Sequence, residues 1–202
     1  MKRKILMMAF ACLYTHVVFS QVIKVNAGLS LSAMDIKNSS TLNENLSNLF
    51  VTAGLDYWEH TYWYLSSELG FIKKGGKESV NLRESIDDPG TLTDIKGAWS
   101  VIQLNTTFRV KIPIVMNHHL IIGAGPSLDF IMGSEKYGFE PHSASLGVKL
   151  DAGYETMINE RFKLGLMYSF DRSLTPFGKC FLGESNGYDQ ASLISVVLGY
   201  HL

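Results

Sequence analysis

Residues 22–33, "VIKVNAGLSLSA", place apolar or small side chains at Ile23, Val25, Ala27, Leu29, Leu31 and Ala33, with Lys24, Asn26, Gly28, Ser30 and Ser32 between them. Period two gives a strand with one apolar and one polar face. The pattern recurs seven times. The apolar sets are Leu49–Val51–Ala53–Leu55–Tyr57, Trp63–Leu65–Leu69–Phe71 and Ile102–Leu104–Phe108–Val110–Ile112. They continue with Leu120–Ile122–Ala124–Leu128–Phe130–Met132 and Leu146–Val148–Leu150–Ala152–Tyr154. Phe162–Leu164–Leu166–Tyr168–Phe170 and Ile194–Val196–Leu198–Tyr200–Leu202 complete the series.

Eight such segments predict an all-β fold, an eight-stranded antiparallel up-and-down barrel whose closure leaves no free edge. The connections alternate in length. Short ones fall near Glu59-His60, Pro113 to His118 and Met157 to Glu160; long ones span 35–46, 75–98, 133–144 and 172–190. Short turns on one rim and long loops on the other are the pattern of a transmembrane barrel. Pro126 falls in mid-strand, where its missing N–H predicts a local bulge.

A soluble, lipocalin-like barrel would use the same alternation inside out, and three features oppose it. The polar face is rich in small residues, among them Gly28, Ser30, Gly54, Gly123, Gly147 and Gly199, which suit a narrow lumen better than a wet exterior. Its longer side chains carry both signs. Asp56, Glu68, Asp129, Asp151, Glu155 and Asp171 share the face with Lys24, Gln103, Arg109, Lys111, Lys149 and Lys163. Buried charges persist when paired, so these residues predict a salt-bridged lumen, with Lys24 and Asp171 toward the watery rims. Third, aromatics sort by height on the apolar face. Tyr57, Trp63, Tyr154, Phe162 and Tyr200 lie near the short-turn rim, and Phe71, Phe130 and Phe170 toward the long-loop rim. Such belts mark bilayer interfaces. Trp63 to Phe71 spans ~26 Å at ~3.3 Å per residue, or roughly 20 Å once tilted, near the ~25 Å apolar band of such barrels. The apolar face is expected to meet outer-membrane lipid.

Composition agrees. Charged residues are 18% of 202, with 18 Gly and 5 Pro, and the net charge of −1 gives no reason to expect nucleic acid. The N-terminus, "MKRKILMMAFACLYTHVVFSQ", has a basic start, an apolar run and small residues before Gln21. Residues 1–20 therefore read as a cleaved signal peptide, with 21–202 as the barrel domain. Lipidation of Cys12 is the alternative, opposed by the bulk of Phe10. After cleavage at Gln21 only Cys180 remains, so no internal disulfide can form.

The signal ending "VVFSQ", the strands "GAGPSLD" and "LGLMYSF" and the terminal "LGYHL" resemble the small outer-membrane β-barrel proteins of the Bacteroidota type, the porin-like or PorT-like family, with OmpA/OmpX-like architecture. The resemblance implies residence in the cell outer membrane, long loops extracellular and both termini periplasmic. It also implies insertion by the barrel assembly machinery through the C-terminal strand, although Leu202 stands where such proteins usually carry Phe.

Candidate chemistry is sparse. Catalysis in this architecture needs a nucleophile, a base and an acid at the outer rim. Only His142, beside Ser143 and near Glu140, lies on the long-loop side. The spacing is wrong for a deacylase, and exposed loop polarity is the better account. His118-His119 lacks further metal ligands, and Asp87-Asp88-Pro89-Gly90 reads as a β-turn rather than a calcium loop. No catalytic residue, cofactor or metal is expected. The expectation is a non-enzymatic barrel whose loops, above all 75–98, meet an extracellular or envelope protein partner. A narrow passive pore and an accessory of a secretion machinery are the alternatives; a lipid-modifying enzyme ranks last.

Overall fold

The computed structural model describes residues 20–36, 44–82, 91–132, 139–180 and 185–202. Cys12, Asp87–Gly90 and all of the expected signal peptide 1–20 except Ser20 lie outside these residues. Ten strands follow in chain order: β1 (Ser20–Ile36), β2 (Leu46–Tyr57), β3 (Trp63–Leu82), β4 (Thr91–Val115), β5 (His118–Met132), β6 (Phe139–Pro141), β7 (Ala144–Met157), β8 (Phe162–Ser173), β9 (Gly178–Cys180) and β10 (Ser185–His201). Eight form an antiparallel ring in the order β1-β2-β3-β4-β5-β7-β8-β10, closed where β10 pairs with β1 from Val22↔His201 to Ile36↔Gly187. Closure satisfies every strand edge around the ring, the condition for a sheet in hydrocarbon.

Parity along each strand sets the faces. In β1, Lys24, Asn26, Ser30 and Ser32 are buried inside, while Ile23, Val25, Leu29 and Leu31 are exposed outside. The same holds around the ring, with Leu49, Leu104, Ile122, Leu150, Leu166 and Leu198 among the outward residues. Gly28 marks the seam. A Cβ there would lie 1.9 Å from the Ile194 carbonyl oxygen, so β1 and β10 can close only over hydrogen.

Three expectations are corrected. The segment 75–98 is largely not a loop: β3 and β4 continue as a paired hairpin from Lys74↔Trp99 to Leu82↔Thr91. Alternation is hard to see there because Gly75, Gly76 and Gly97 interrupt it. Gly75 adopts φ 155°, a conformation open only to glycine. Its N–H donates to Ser32 Oγ at 3.1 Å, drawing the hairpin base toward β1. Second, the expected loops 133–144 and 172–190 contain β6 and β9, which pair with each other, while β9 also pairs with the start of β10. Of loop 35–46, residues 37–43 lie outside the described residues, and Leu46 already belongs to β2. Third, Pro126 makes no bulge. The β4–β5 ladder lapses between Asn105↔Ser127 and Phe108↔Ala124 and resumes in the same register. The register shifts are at Ser20/Val22 and Pro113/Val115 instead.

Candidate functional site

The inward parity positions of β1, β2, β3, β4, β7 and β8 bring eight charges together in the half of the lumen nearer the short turns. Lys24 Nζ lies 2.9 Å from Asp56 and 2.8 Å from Glu68, and donates to Ser66 Oγ at 2.5 Å. Arg109 donates through Nη2 to Glu68 at 2.8 Å and to Asp151 at 2.7 Å, and through Nε to Asp151 at 2.9 Å. Lys149 reaches Glu68 at 2.8 Å. Lys163 reaches Asp56 at 2.7 Å and Glu155 at 3.3 Å, and Glu155 accepts from Tyr64 Oη at 3.1 Å. Four cations (Lys24, Arg109, Lys149, Lys163) meet four acids (Asp56, Glu68, Asp151, Glu155), all buried. The set is neutral as a whole, which allows it to persist away from water.

A second cluster lies toward the long-loop rim. Lys74 Nζ contacts Asp129 at 2.5 Å, Asp171 at 2.5 Å and Asp189 at 2.9 Å. Gln103 Nε2 donates to Asp129 at 2.9 Å and Asp171 at 2.6 Å, and Ser127 Oγ to Asp171 at 2.7 Å. The three carboxylates sit close enough to hold a metal ion. Here a tethered ammonium occupies their centre. Above it the inward face turns apolar: Met34, Ile36, Trp99, Val101 and Phe177 form one buried cluster, with the Trp99 and Phe177 rings 6.1 Å apart, edge to face.

Lys24, Asp56, Glu68, Gln103, Arg109, Asp129, Lys149, Asp151, Glu155 and Lys163 are all buried on the inward side of the ring. Three placements differ from expectation. Lys24 and Asp171 are not at the watery rims but 1% exposed, because Asp56 and Glu68 enclose the first, and Lys74, Gln103 and Ser127 reach the second across the lumen. Lys111 is at the short-turn rim, apart from the buried set, paired with Glu59 at 2.8 Å. Tyr57 is buried rather than exposed, its hydroxyl 3.0 Å from Ser67 Oγ. The other rim aromatics, Trp63, Phe71, Phe130, Tyr154, Phe162, Phe170 and Tyr200, do face outward. Sequence reading missed Lys74, Asp189 and Tyr64. Tyr64 follows directly from the parity that turns Trp63 out. Lys74 and Asp189 sit at the borders of segments that read as loops.

The lumen leaves little room. A cavity of about 10 Å³ lies between the clusters, lined by Asn26, Thr52, Gln103, Arg109, Met167 and Ser195 among others; that is roughly one water. A wider recess of about 190 Å³ opens at the short-turn rim beside Glu59, Lys111, His119 and His201. On the other side, His142 and Ser143 are both exposed, and the His142 N–H donates to the Phe177 carbonyl at 2.8 Å. Each charged group of the interior is engaged by a group on another strand, either adjacent or across the lumen.

A closed eight-stranded ring with an apolar exterior and a charge-paired interior defines the fold of the small outer-membrane β-barrels. Among solved structures, the chain is similar to Neisserial surface protein A, with a TM-score of 0.56 and 10% identity over 89% of this chain and 97% of that one. It is also similar to the outer membrane protein OprG from Pseudomonas aeruginosa, with a TM-score of 0.52 and 11% identity over 91% of this chain and 97% of that one. At such identities the likeness is one of fold. No protein-family model and no curated protein matches the sequence.

Proposed function

We propose that the protein is a non-enzymatic integral barrel of the cell outer membrane, of the porin-like or PorT-like kind, whose lumen is a structural plug. Residues 1–20 direct export and are removed, the short-turn rim and both termini face the periplasm, and the long-loop rim faces outward. The β3–β4 hairpin and the β6–β9 flap are then the surfaces that meet an extracellular or envelope protein partner. The C-terminal strand, ending Tyr200-His201-Leu202, is the element read by the assembly machinery. The observation that carries this reading is the pairing of an all-round apolar exterior with a neutral eight-charge network that fills the lumen. Eight-stranded barrels have an interior just filled by side chains.

The test is expression of the full chain, followed by membrane fractionation, heat-dependent gel mobility and planar-bilayer recording. The reading expects outer-membrane recovery, a mobility shift on boiling and negligible conductance. Stable large openings would make it a pore instead. Cross-linking from a probe within residues 78–95 in intact cells should capture a protein; if no protein is captured there, the hairpin is excluded as the contact surface.

A further inference from the structure

Turns that project into water are ordinarily polar throughout; the short turns of this barrel interleave exposed apolar side chains with polar ones such as Glu59, His60, Asn159, Glu160 and Arg161. The end of β4 and the β4–β5 turn carry exposed Ile114, Val115 and Met116, the last 84% exposed. The β7–β8 turn carries Ile158, 63% exposed, and the β2–β3 turn Trp58 and Tyr62, both exposed. Trp58 holds its indole outward from a backbone with φ 52°, a region that bulky residues rarely enter. The fourth quarter of the rim, where β1 and β10 meet, ends in exposed Leu202.

We propose that this rim is a lipid-binding collar: its turns are seated in the headgroup layer of the bilayer rather than in the aqueous phase beyond it. The inference rests on the bilayer-spanning reading and extends it to a specific surface. Two observations select lipid as the occupant. First, the β4–β5 tip continues an apolar face without a break. On β4 the outward residues Phe108, Val110 and Ile112 run directly into Ile114 and Met116, with Pro113 and Val115 between the last three. Second, the exposed tips occupy all four quarters of the ring, because the strand order sets the turns β2–β3, β4–β5 and β7–β8 and the termini at every second interval. A docked protein covers one side of a rim; a bilayer surrounds it.

The heights agree. Ile112 pairs with Leu120, which pairs with Tyr154, so Ile112 lies two ladder steps from an aromatic of the interfacial belt, within roughly 6 Å of its height at a tilt of about 40°. Met116 lies four residues further, ~13 Å along the strand, or roughly 10 Å after tilting and less where the turn bends over. A bilayer of ~40–45 Å with a ~30 Å hydrocarbon core leaves about 5–8 Å of headgroup layer per side. A straight strand would carry the tips about 10 Å, slightly past that layer, and the bend of the turn brings them back to about its outer edge.

The test places a nitrobenzoxadiazole probe on single cysteines at Met116 and Ile158 in the full chain, with Cys12 and Cys180 changed to Ser. Leu104→Cys and Ile122→Cys serve as mid-barrel controls, and Lys179→Cys as a control on the opposite rim. In phosphatidylethanolamine–phosphatidylcholine vesicles, probes at 116 and 158 should be quenched by headgroup-proximal nitroxide lipids. Their quenching by aqueous iodide should be several-fold weaker than at 179. If iodide quenches 116 and 158 as freely as 179 while 104 and 122 stay lipid-quenched, the collar is refuted and the spanning barrel stands. Subsequent shielding of those two sites by added soluble envelope protein would make the rim a protein-docking face. Free iodide access at 104 and 122 would refute the spanning reading itself.

Discussion

Glu68 is the hub of the lumen network, since Lys24, Arg109 and Lys149 each contact it at 2.8 Å. Glu68→Gln removes one charge from a set of four and four and leaves a buried excess of +1. At an effective dielectric of about 20, each contact carries roughly 6 kcal/mol of gross Coulomb energy. Regained hydration of the released groups offsets most of that, and breaking a buried pair costs about 3–5 kcal/mol net. Lys149 depends on Glu68 more than the other cations do, because its remaining acid, Asp151, is 3.9 Å away. Adding Lys149→Met restores neutrality, with Lys24, Arg109 and Lys163 against Asp56, Asp151 and Glu155. The double variant should recover stability with a coupling of roughly 1–3 kcal/mol. Urea unfolding in lipid vesicles, followed by tryptophan fluorescence, measures both. A Glu68→Gln barrel within about 0.5 kcal/mol of wild type, with no coupling to Lys149, would refute the reasoning, because water would then screen the lumen charges.

Three further outcomes follow from the same geometry. Lys74→Met strips from Asp129, Asp171 and Asp189 the one cation that contacts all three among the described residues and should cost about 3–5 kcal/mol; adding Asp129→Asn should return part of it in the same unfolding assay. Gly28→Val drives a side chain into the Ile194 carbonyl at the seam, so the fraction of chain showing heat-dependent mobility should fall sharply, whereas Ala27→Val on the outer face should leave it unchanged. Trp99→Ala opens the apolar cluster at the long-loop rim and should cost about 3–5 kcal/mol, yet planar-bilayer current should stay negligible because the eight-charge network still blocks the lumen.

Much of this was legible in the sequence because barrel strands repeat one rule. Period two assigned Lys24, Glu68, Arg109 and Lys163 inward and Leu29, Leu104 and Leu198 outward without knowledge of any partner. Pairing across the lumen was not legible. Lys163 meets Asp56 across 107 positions, and such contacts depend on register and barrel closure rather than local pattern. The rule also failed where its signal thins. Gly75 and Gly76 disguised the continuing β3, so Lys74 read as the border of a loop rather than as the centre of three carboxylates. Asp189 was hidden in the same way by an expected loop that is in fact the beginning of β10. Inward apolar residues such as Trp99 and Met34 ran against the assumption that one whole face is polar. They close the lumen at the rim, where neutral packing removes the need to find partners for more buried charge.

The central claim is that the apolar face of the ring points into lipid and the charged face into a closed lumen. Nitroxide labels at Ile194, Val196 and Leu198 on β10, in lipid vesicles, test it most directly. The account predicts high collision rates with oxygen and low rates with a water-soluble nickel complex at all three positions. High nickel and low oxygen access there would turn the barrel inside out and contradict it.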